Sequence, residues 1–341
     1  LKLEEAGYRF DLADGRLMRF LLVRLERNSH QLVITDHHIL LDGWSTSTVW
    51  RDLLALYRQD AGASASLAPP VPFRRYLEWL AGRDLEETRA AWKDYLAGLR
   101  QPTRLVPAGL AATVPLVTSV RLDRESTAAL ARQAARCGVT MNILMQSAWG
   151  LLLSRLAGHR DVVFGITVSE RPPEVAGVED IVGLLINTVP ARVRIVEGDT
   201  LSSWLLRVRD TQAEIQSHQH LALPEIQKLC GLGELFDTYF VFQNFPSDEP
   251  RPAPDGLSLR ESAAGGTGVS HYPLGVTVLP GERMELLFGY QRQWFDTARI
   301  SDIVATLQYL LGRLAGMAPL DGLEACIASR AEADFGSGDR P

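Results

Sequence analysis

Two short runs near the start of the chain, residues 18–25 (MRFLLVRL) and 31–35 (QLVIT), are rich in bulky apolar side chains. The polar interval from Glu26 to His30 separates them, so together they predict a β-hairpin. From Ser45 the period becomes helical: Val49, Trp50, Leu53, Leu54, Leu56 and Tyr57 share one face, with Ser45 or Thr46 available as the cap. Residues 61–72 (AGASASLAPPVP) predict an exposed loop. A helical pair follows in FRRYLEWLAGRD and EETRAAWKDYLAGL. The stretch 101–115 holds three prolines and is the best boundary candidate. Beyond it come a strand and a long helical pattern running from Asp123 through Leu130 and Ala134, then from Asn142 to Leu156. DVVFGITVS, residues 161–169, has apolar residues at successive positions and predicts a strand buried on both faces. Residues 246–268 form a second irregular stretch. Strands at 273–279 and 284–290 and a helix at about 297–314 complete a two-lobed α+β pattern with its seam near 100–118.

Composition narrows the class. At about 150 residues per domain, 341 residues make roughly two domains. A hydrophobic share of 46% with 22% charged residues excludes a disordered or fibrous chain. The net charge of −6 and the lack of any Lys/Arg run argue against a protein held on nucleic acid by its phosphates. Cys137, Cys230 and Cys326 are widely spaced without a CxxC pair, which disfavours a disulfide scaffold or a structural zinc module. The charged start LKLEEAGYRF has no signal-peptide core, and no apolar run approaches the roughly 20 residues of a membrane span. The expected setting is the cytoplasm, away from membranes.

Candidate chemistry concentrates in Asp36-His37-His38-Ile39-Leu40-Leu41-Asp42-Gly43-Trp44-Ser45, where the hairpin stops and a helix begins. In an extended segment neighbouring side chains point to opposite faces, so His37 and His38 serve different purposes: one faces a cleft, the other is held internally. Gly43 allows a sharp turn, and Asp42 is suited to fixing the loop by hydrogen bonds or an arginine partner. A lone histidine at a strand end is ordinarily structural; an adjacent pair followed by Asp-Gly-Trp-Ser is much less so. A metal site built from His37, His38, Asp42 and His218-Gln219-His220 is the weaker functional alternative, because opposed imidazoles cannot both reach one ion. Gly43-Trp44-Ser45-Thr46-Ser47 lacks the last glycine of a nucleophile elbow, and Gly265-Gly266-Thr267-Gly268 lacks a Walker lysine or a dinucleotide fingerprint. Cys137, inside a helical pattern, is expected to be a packed small residue.

His37-His38-x-x-x-Asp42-Gly43 resembles the HHxxxDG signature of nonribosomal peptide synthetase condensation domains, relatives of chloramphenicol acetyltransferase. Tyr8 to Leu17 is similar to the family's FDL segment, with Arg16 in place of a proline. Phe73 to Leu80, Gly165 to Pro172, Val182 to Pro190, His218 to His220, Phe236 to Pro246 and His271 to Leu274 resemble further family segments in order. Further departures are that Glu170 replaces a customary Gly, Leu185 replaces a Phe, and Asp36 stands where an apolar residue is usual. The opening elements of the family's first lobe are expected to lie ahead of Leu1.

The resemblance implies an α+β fold of two chloramphenicol acetyltransferase-like lobes arranged as a V-shaped pseudo-dimer, with mixed sheets flanked by helices. Residues 1–110 would form the first lobe, 111–320 the second and 321–341 a C-terminal linker. The implied reaction is peptide-bond formation between a donor aminoacyl or peptidyl thioester and the α-amine of an acceptor thioester. Upstream and downstream carrier proteins would deliver both on phosphopantetheine arms, with no permanently bound cofactor and no metal. Adjacent adenylation or epimerization domains are further expected partners. His38 would face the tunnel; an imidazole ordinarily titrates near pH ~6.5 and a free α-amine near ~7.7–8.0, so it can accept or share the amine proton. His37 would be structural, Asp42 would hold the loop through Arg171 or Arg192, and the Gly43 N–H would meet the oxyanion. Trp44, Ser45, Asn187 and Thr188 are the expected substrate contacts. HHILLDGWS looks more like the subclass that takes a D-configured donor. Alternatives are an epimerization domain, a free-standing acyltransferase, or a non-catalytic platform of the same fold that recruits carriers.

Overall fold

The computed structural model of the chain describes residues 5, 8–60, 67–107, 109, 113–243 and 270–316. The expected loop at 246–268 with its glycine cluster, the first half of 61–72, the linker at 321–341 and Cys326 lie outside the described residues. The chain divides into two compact units. One takes the residues up to Arg83 together with Ser169–Ile186; the other takes Asp84–Val168 and the described residues from Asn187 onward. A single cut near residue 110 does not follow these units. The prolyl stretch is irregular but tied into the second unit: Thr103 bridges to Phe236, and Asp237 accepts the N–H groups of Leu105 and Val106 at 2.8 and 2.9 Å.

In the first unit, β1 (Met18–Glu26) and β2 (Ser29–Asp36) form the expected antiparallel hairpin, pairing Met18 with Asp36 and Arg24 with His30. Helix α1 (Gly43–Asp60) begins two residues before Ser45 because its cap is Asp42, neither Ser45 nor Thr46. The Ser45 N–H donates to Asp42 Oδ1 at 2.7 Å, and the Thr46 N–H to the Asp42 carbonyl at 3.1 Å. Helix α2 (Arg74–Ala81) buries Tyr76 in a small apolar cluster with Val175, Val178, Ile181 and Leu185. Gly183 is required beside it, since a Cβ there would stand 2.2 Å from the Phe73 ring.

The second unit carries α3 (Leu85–Tyr95), β3 (Leu116–Arg121), α4 (Arg124–Arg136), α5 (Met141–Ala157), β4 (Asp161–Ser169), β5 (Ile186–Arg194) and α6 (Leu201–Ile215). It continues with α7 (Leu223–Cys230), β6 (Thr238–Phe242), β7 (Leu274–Leu279), β8 (Glu285–Tyr290) and α8 (Thr297–Ala315). Its six-stranded sheet has the order β3-β8-β7-β6-β4-β5. Strand β6 runs parallel to β4 and β7, whereas β8 is antiparallel to β7 and β3, so the sheet is mixed and the class is α+β.

The single long helical pattern from Asp123 is two helices. Gly138 turns left-handed at φ 67° after α4, and the Thr140 hydroxyl then caps α5 by accepting the Ile143 N–H at 3.2 Å. Helix α5 lacks an apolar stripe because every residue from Ile143 to Ser154 is buried. Trp92, Trp149, Trp204, Phe164, Phe240 and Phe288 fill the core around it, and Cys137 packs against it as expected. Among the described residues, no helix is long and apolar enough to cross a membrane.

Candidate functional site

The FDL segment leads into the hairpin and sets the base of the His pair. The His37 N–H donates to the Leu17 carbonyl at 2.9 Å, and the Phe10 ring meets the His37 ring edge-on, with centroids 6.3 Å apart. Strand β2 ends at Asp36, and the chain turns at once: the Leu40 N–H donates to the His37 carbonyl at 3.0 Å. The pair therefore occupies a tight turn, not extended strand, and Gly43 is the first residue of a helix and not the corner. His37 is half-buried and His38 exposed.

In their neutral forms, the two imidazoles are made opposite tautomers by their hydrogen bonds. The Ile39 N–H donates to His37 Nδ1 at 3.2 Å, so that nitrogen carries the lone pair. His38 Nδ1 lies 2.6 Å from the Leu41 carbonyl, which can only accept, so Nδ1 carries the proton. The lone pair of His38 is left on Nε2, the atom farther from the backbone.

Asp42 holds this turn from behind and is only 1% exposed. Its Oδ1 accepts from Ser45, its Oδ2 accepts the Leu185 N–H at 3.0 Å, and Arg171 Nη2 reaches the two oxygens at 2.9 and 3.0 Å. Arg171 Nη1 donates to the carbonyls of Val178 and Ile181 at 2.8 and 3.2 Å. Burial pulls the Arg171 guanidinium below its ordinary pKa, and the Asp42 carboxylate opposes that shift. The pair is therefore a desolvated, multiply hydrogen-bonded ion pair.

Two of the expected substrate contacts bond this scaffold. The Ser45 hydroxyl is fully buried; it donates to the Gly183 carbonyl at 2.8 Å and accepts from the Gly183 N–H at 3.0 Å and Arg171 Nη2 at 3.3 Å. The Trp44 indole donates to the Glu179 carbonyl at 2.8 Å, and the Arg171 guanidinium lies 5.4 Å from its ring centre.

Of the two arginines offered for Asp42, the structure brings only Arg171 to it. Arg192 is held in the second unit, where Nε and Nη2 bond Asp161 at 2.8 and 2.7 Å and Nη1 meets the Tyr95 and Ala97 carbonyls. Asn187 also belongs to that unit: its amide donates to the Gln219 and Leu221 carbonyls at 2.7 and 2.9 Å, and its oxygen accepts the N–H of half-buried Thr188 at 2.8 Å. His218 Nδ1 and His220 Nε2 both approach the Thr88 hydroxyl, at 3.3 and 3.2 Å. Among the described residues, no three His, Cys, Asp or Glu side chains gather as a metal ion would require.

Sequence reasoning missed three contributors. Gly183 and Leu185 act through backbone groups, which carry no residue-type signal. Glu170 was noticed only as a departure from the family pattern; it is 8% exposed and accepts from the Tyr76 hydroxyl at 3.2 Å. Burial pushes its carboxyl up to about 7 and raises the Tyr76 phenol as well.

Comparison with known proteins gives one consistent answer. The family pattern described as Condensation domain matches residues 2–321. The chain is 39% identical to chondramide synthase cmdD of Chondromyces crocatus over 307 residues, covering 87% of this chain and 8% of that protein. It is 32% identical to tyrocidine synthase 2 of Brevibacillus parabrevis over 325 residues, covering 93% of this chain and 9% of that protein. The chain thus spans less than a tenth of the length of either relative. In fold it is similar to the first condensation domain of the calcium-dependent antibiotic synthetase, with TM-score 0.71, 21% identity, and coverage of 89% of this chain and 69% of that one. It is similar likewise to the X-domain from teicoplanin biosynthesis, with TM-score 0.75, 22% identity, and coverage of 94% and 77%.

Proposed function

The chain belongs to the condensation-domain family, and from that premise we propose that it forms a peptide bond between two carrier-borne substrates. The donor is an aminoacyl or peptidyl thioester, the acceptor an aminoacyl thioester with a free α-amine, and each arrives on the phosphopantetheine arm of a carrier protein. The amine nitrogen attacks the donor carbonyl; the C–N bond forms, the C–S bond breaks, and the lengthened acyl chain stays on the acceptor arm. His38 takes the amine proton on Nε2 and passes it to the departing sulfur.

The observation that carries this reading is the contact between His38 Nδ1 and the Leu41 carbonyl. Its Nδ1–H is committed to the Leu41 carbonyl at 2.6 Å, which supports a basic Nε2 on an exposed turn. The imidazolium formed by proton transfer keeps that bond, so the ring need not reorient. His37 is the structural neighbour, and the Asp42–Arg171 pair holds the turn. Gly43 opens α1, so its N–H is one of the donors a helix leaves without an intrahelical partner. With the positive end of the helix dipole behind it, this N–H is the proposed oxyanion donor.

Neighbouring adenylation or epimerization domains of a multidomain synthetase are the proposed context, and the wording HHILLDGWS supports a D-configured donor. An intact-mass assay with paired L- and D-donor carriers and one loaded acceptor carrier tests activity and stereochemistry together. The expected product is a dipeptidyl acceptor carrier, formed faster from the D-donor. Its rate should fall by about 10²–10⁴-fold in His38→Ala, the range for loss of a general base. Unchanged peptide formation in that variant would remove His38 from the chemistry. An epimerised, uncondensed aminoacyl carrier would replace condensation with epimerization.

A further inference from the structure

Glu170 places a carboxyl inside the first unit. It is nine-tenths buried, and its side chain bonds the Tyr76 hydroxyl at 3.2 Å. Its backbone N–H donates to the Leu185 carbonyl at 2.7 Å, while the Leu185 N–H donates to Asp42 Oδ2. The Tyr76 ring packs with Val178, Ile181 and Leu185, and the carbonyls of the first two hold Arg171 Nη1. The backbone groups of 178, 181 and 185 that grip the Asp42–Arg171 pair thus rest on the cluster that the Glu170–Tyr76 contact closes.

We propose that Glu170 is a positioning residue for the His38 turn: its side chain, bonded to the Tyr76 hydroxyl, clamps α2 to the wall that fixes Arg171 and Asp42. Among the described residues, no cation is placed to offset an ionised Glu170. On α2, Arg74 pairs with Glu78 in solvent and Arg75 reaches the Ala176 carbonyl at 3.4 Å; just beyond, Arg83 lies over the Trp79 ring. On Ser169–Ile186, Arg171 is committed to Asp42, Asp180 pairs with Arg51 of α1, and Glu174 and Glu179 are exposed. Burial keeps the carboxyl protonated up to about pH 7. Because that value lies above the ordinary 4.5, the contribution is complete below pH 4.5 and is lost as pH rises through about 7. Above that, an uncompensated carboxylate forms in the cluster and the clamp loosens.

Amide hydrogen exchange on the full chain tests this without requiring activity. Wild type and Glu170→Gln are compared at pH 6.0 and pH 8.5 at the Ser45 and Leu185 amides, with α5 as internal control. The ratio of exchange rates, wild type over variant, should rise about tenfold between the two pH values at Ser45 and Leu185 and stay constant in α5. An equal ratio at both pH values overturns the proposal. Tyr76→Phe removes a bond that favours the ionised form, so its transition should move to higher pH; an unmoved transition also overturns the clamp. The condensation reading enters only through a parallel activity profile, in which wild type should lose rate on the alkaline side and Glu170→Gln should not. Absence of peptide formation at every pH would sink that reading and leave the exchange result standing.

Discussion

The two units hold their shape by different balances of apolar bulk and polar bonding. The second is built around α5, Trp92, Trp149, Trp204 and the mixed sheet, and its apolar bulk is large enough to carry unpaired polar atoms. The indole N–H groups of Trp149, Trp204 and Trp294 and the Ser147 hydroxyl are buried there without hydrogen-bond partners. The first unit has an apolar cluster of five buried residues and fixes its turn instead through Asp42, Arg171 and Ser45, which bond one another and the backbone of 178–185. An unmade buried hydrogen bond costs about 1–3 kcal/mol wherever it occurs, but a small cluster has little hydrophobic surplus to set against it. Polar geometry therefore carries more of the structure in the first unit, although Arg171 Nε is itself buried there without a partner among the described residues. It carries less in the second, where Arg192 and Asp237 are buried polar ties within a large apolar core.

The sharpest way to break this contrast is Asp42→Asn, which keeps side-chain volume but leaves Arg171 buried without its counter-charge. Breaking one partner of a buried pair costs about 3–5 kcal/mol, so the first unit should unfold at clearly lower urea while the second keeps its midpoint. The counterpart is Leu152→Ala in α5, where a cavity alone should cost the second unit about 2–5 kcal/mol. Loss of the same magnitude by removing charge in one unit and methyl groups in the other would bear out the comparison. A cost below about 1 kcal/mol for Asp42→Asn would sink it.

Gly183→Ala should cost about 1–3 kcal/mol, since the new methyl meets the Phe73 ring at 2.2 Å in the segment that holds Ser45. Circular dichroism melts of the variant against wild type measure it. A neutral result would mean that the Gly183 backbone is free to move away from Ser45. Glu170→Gln should show a smaller and pH-dependent effect. Relative to wild type it should gain about 1.4 kcal/mol more at pH 8.5 than at pH 6, because wild-type stability falls as Glu170 ionises through about 7. Urea midpoints at the two pH values read the difference, and a gain independent of pH would assign the effect to packing.

The same contrast explains what could be read from the sequence. The hairpin, β4, β7, β8 and α8 were legible because each presents one period or one unbroken apolar run. Helices α4 and α5 merged into one pattern because a helix buried all round has no stripe to mark its ends; only Gly138 and Thr140 mark the break. The prolines at 101–115 signalled irregular backbone, which is not the same as a boundary, because Asp237 satisfies that backbone from more than a hundred residues away. The HHxxxDG turn was legible as a motif, but its support was not. Arg171 and Arg192 were equal candidates until the fold placed Asp161 beside one and Asp42 beside the other. Ser45 stood among the substrate contacts that the resemblance implies, and only its burial and its bonds to Gly183 and Arg171 show it serving the turn.

The smallest expected effect limits the comparison to buried groups. Each unit also carries exposed ion pairs: Arg74 with Glu78 on α2, side chains 84% and 60% exposed, and Arg124 on α4 with Glu282, 69% and 75% exposed. If charge as such held the first unit together, Arg74→Ala should cost it distinctly more than Arg124→Ala costs the second. Solvent screens both pairs and each must immobilise two long side chains, so both substitutions should stay within about 0.5 kcal/mol in matched urea titrations. Equal and near-zero costs would place the difference between the units in desolvation. A cost above about 1 kcal/mol for Arg74→Ala alone would instead make surface charge part of what holds α2, and would weaken the case that the Glu170–Tyr76 contact is its clamp.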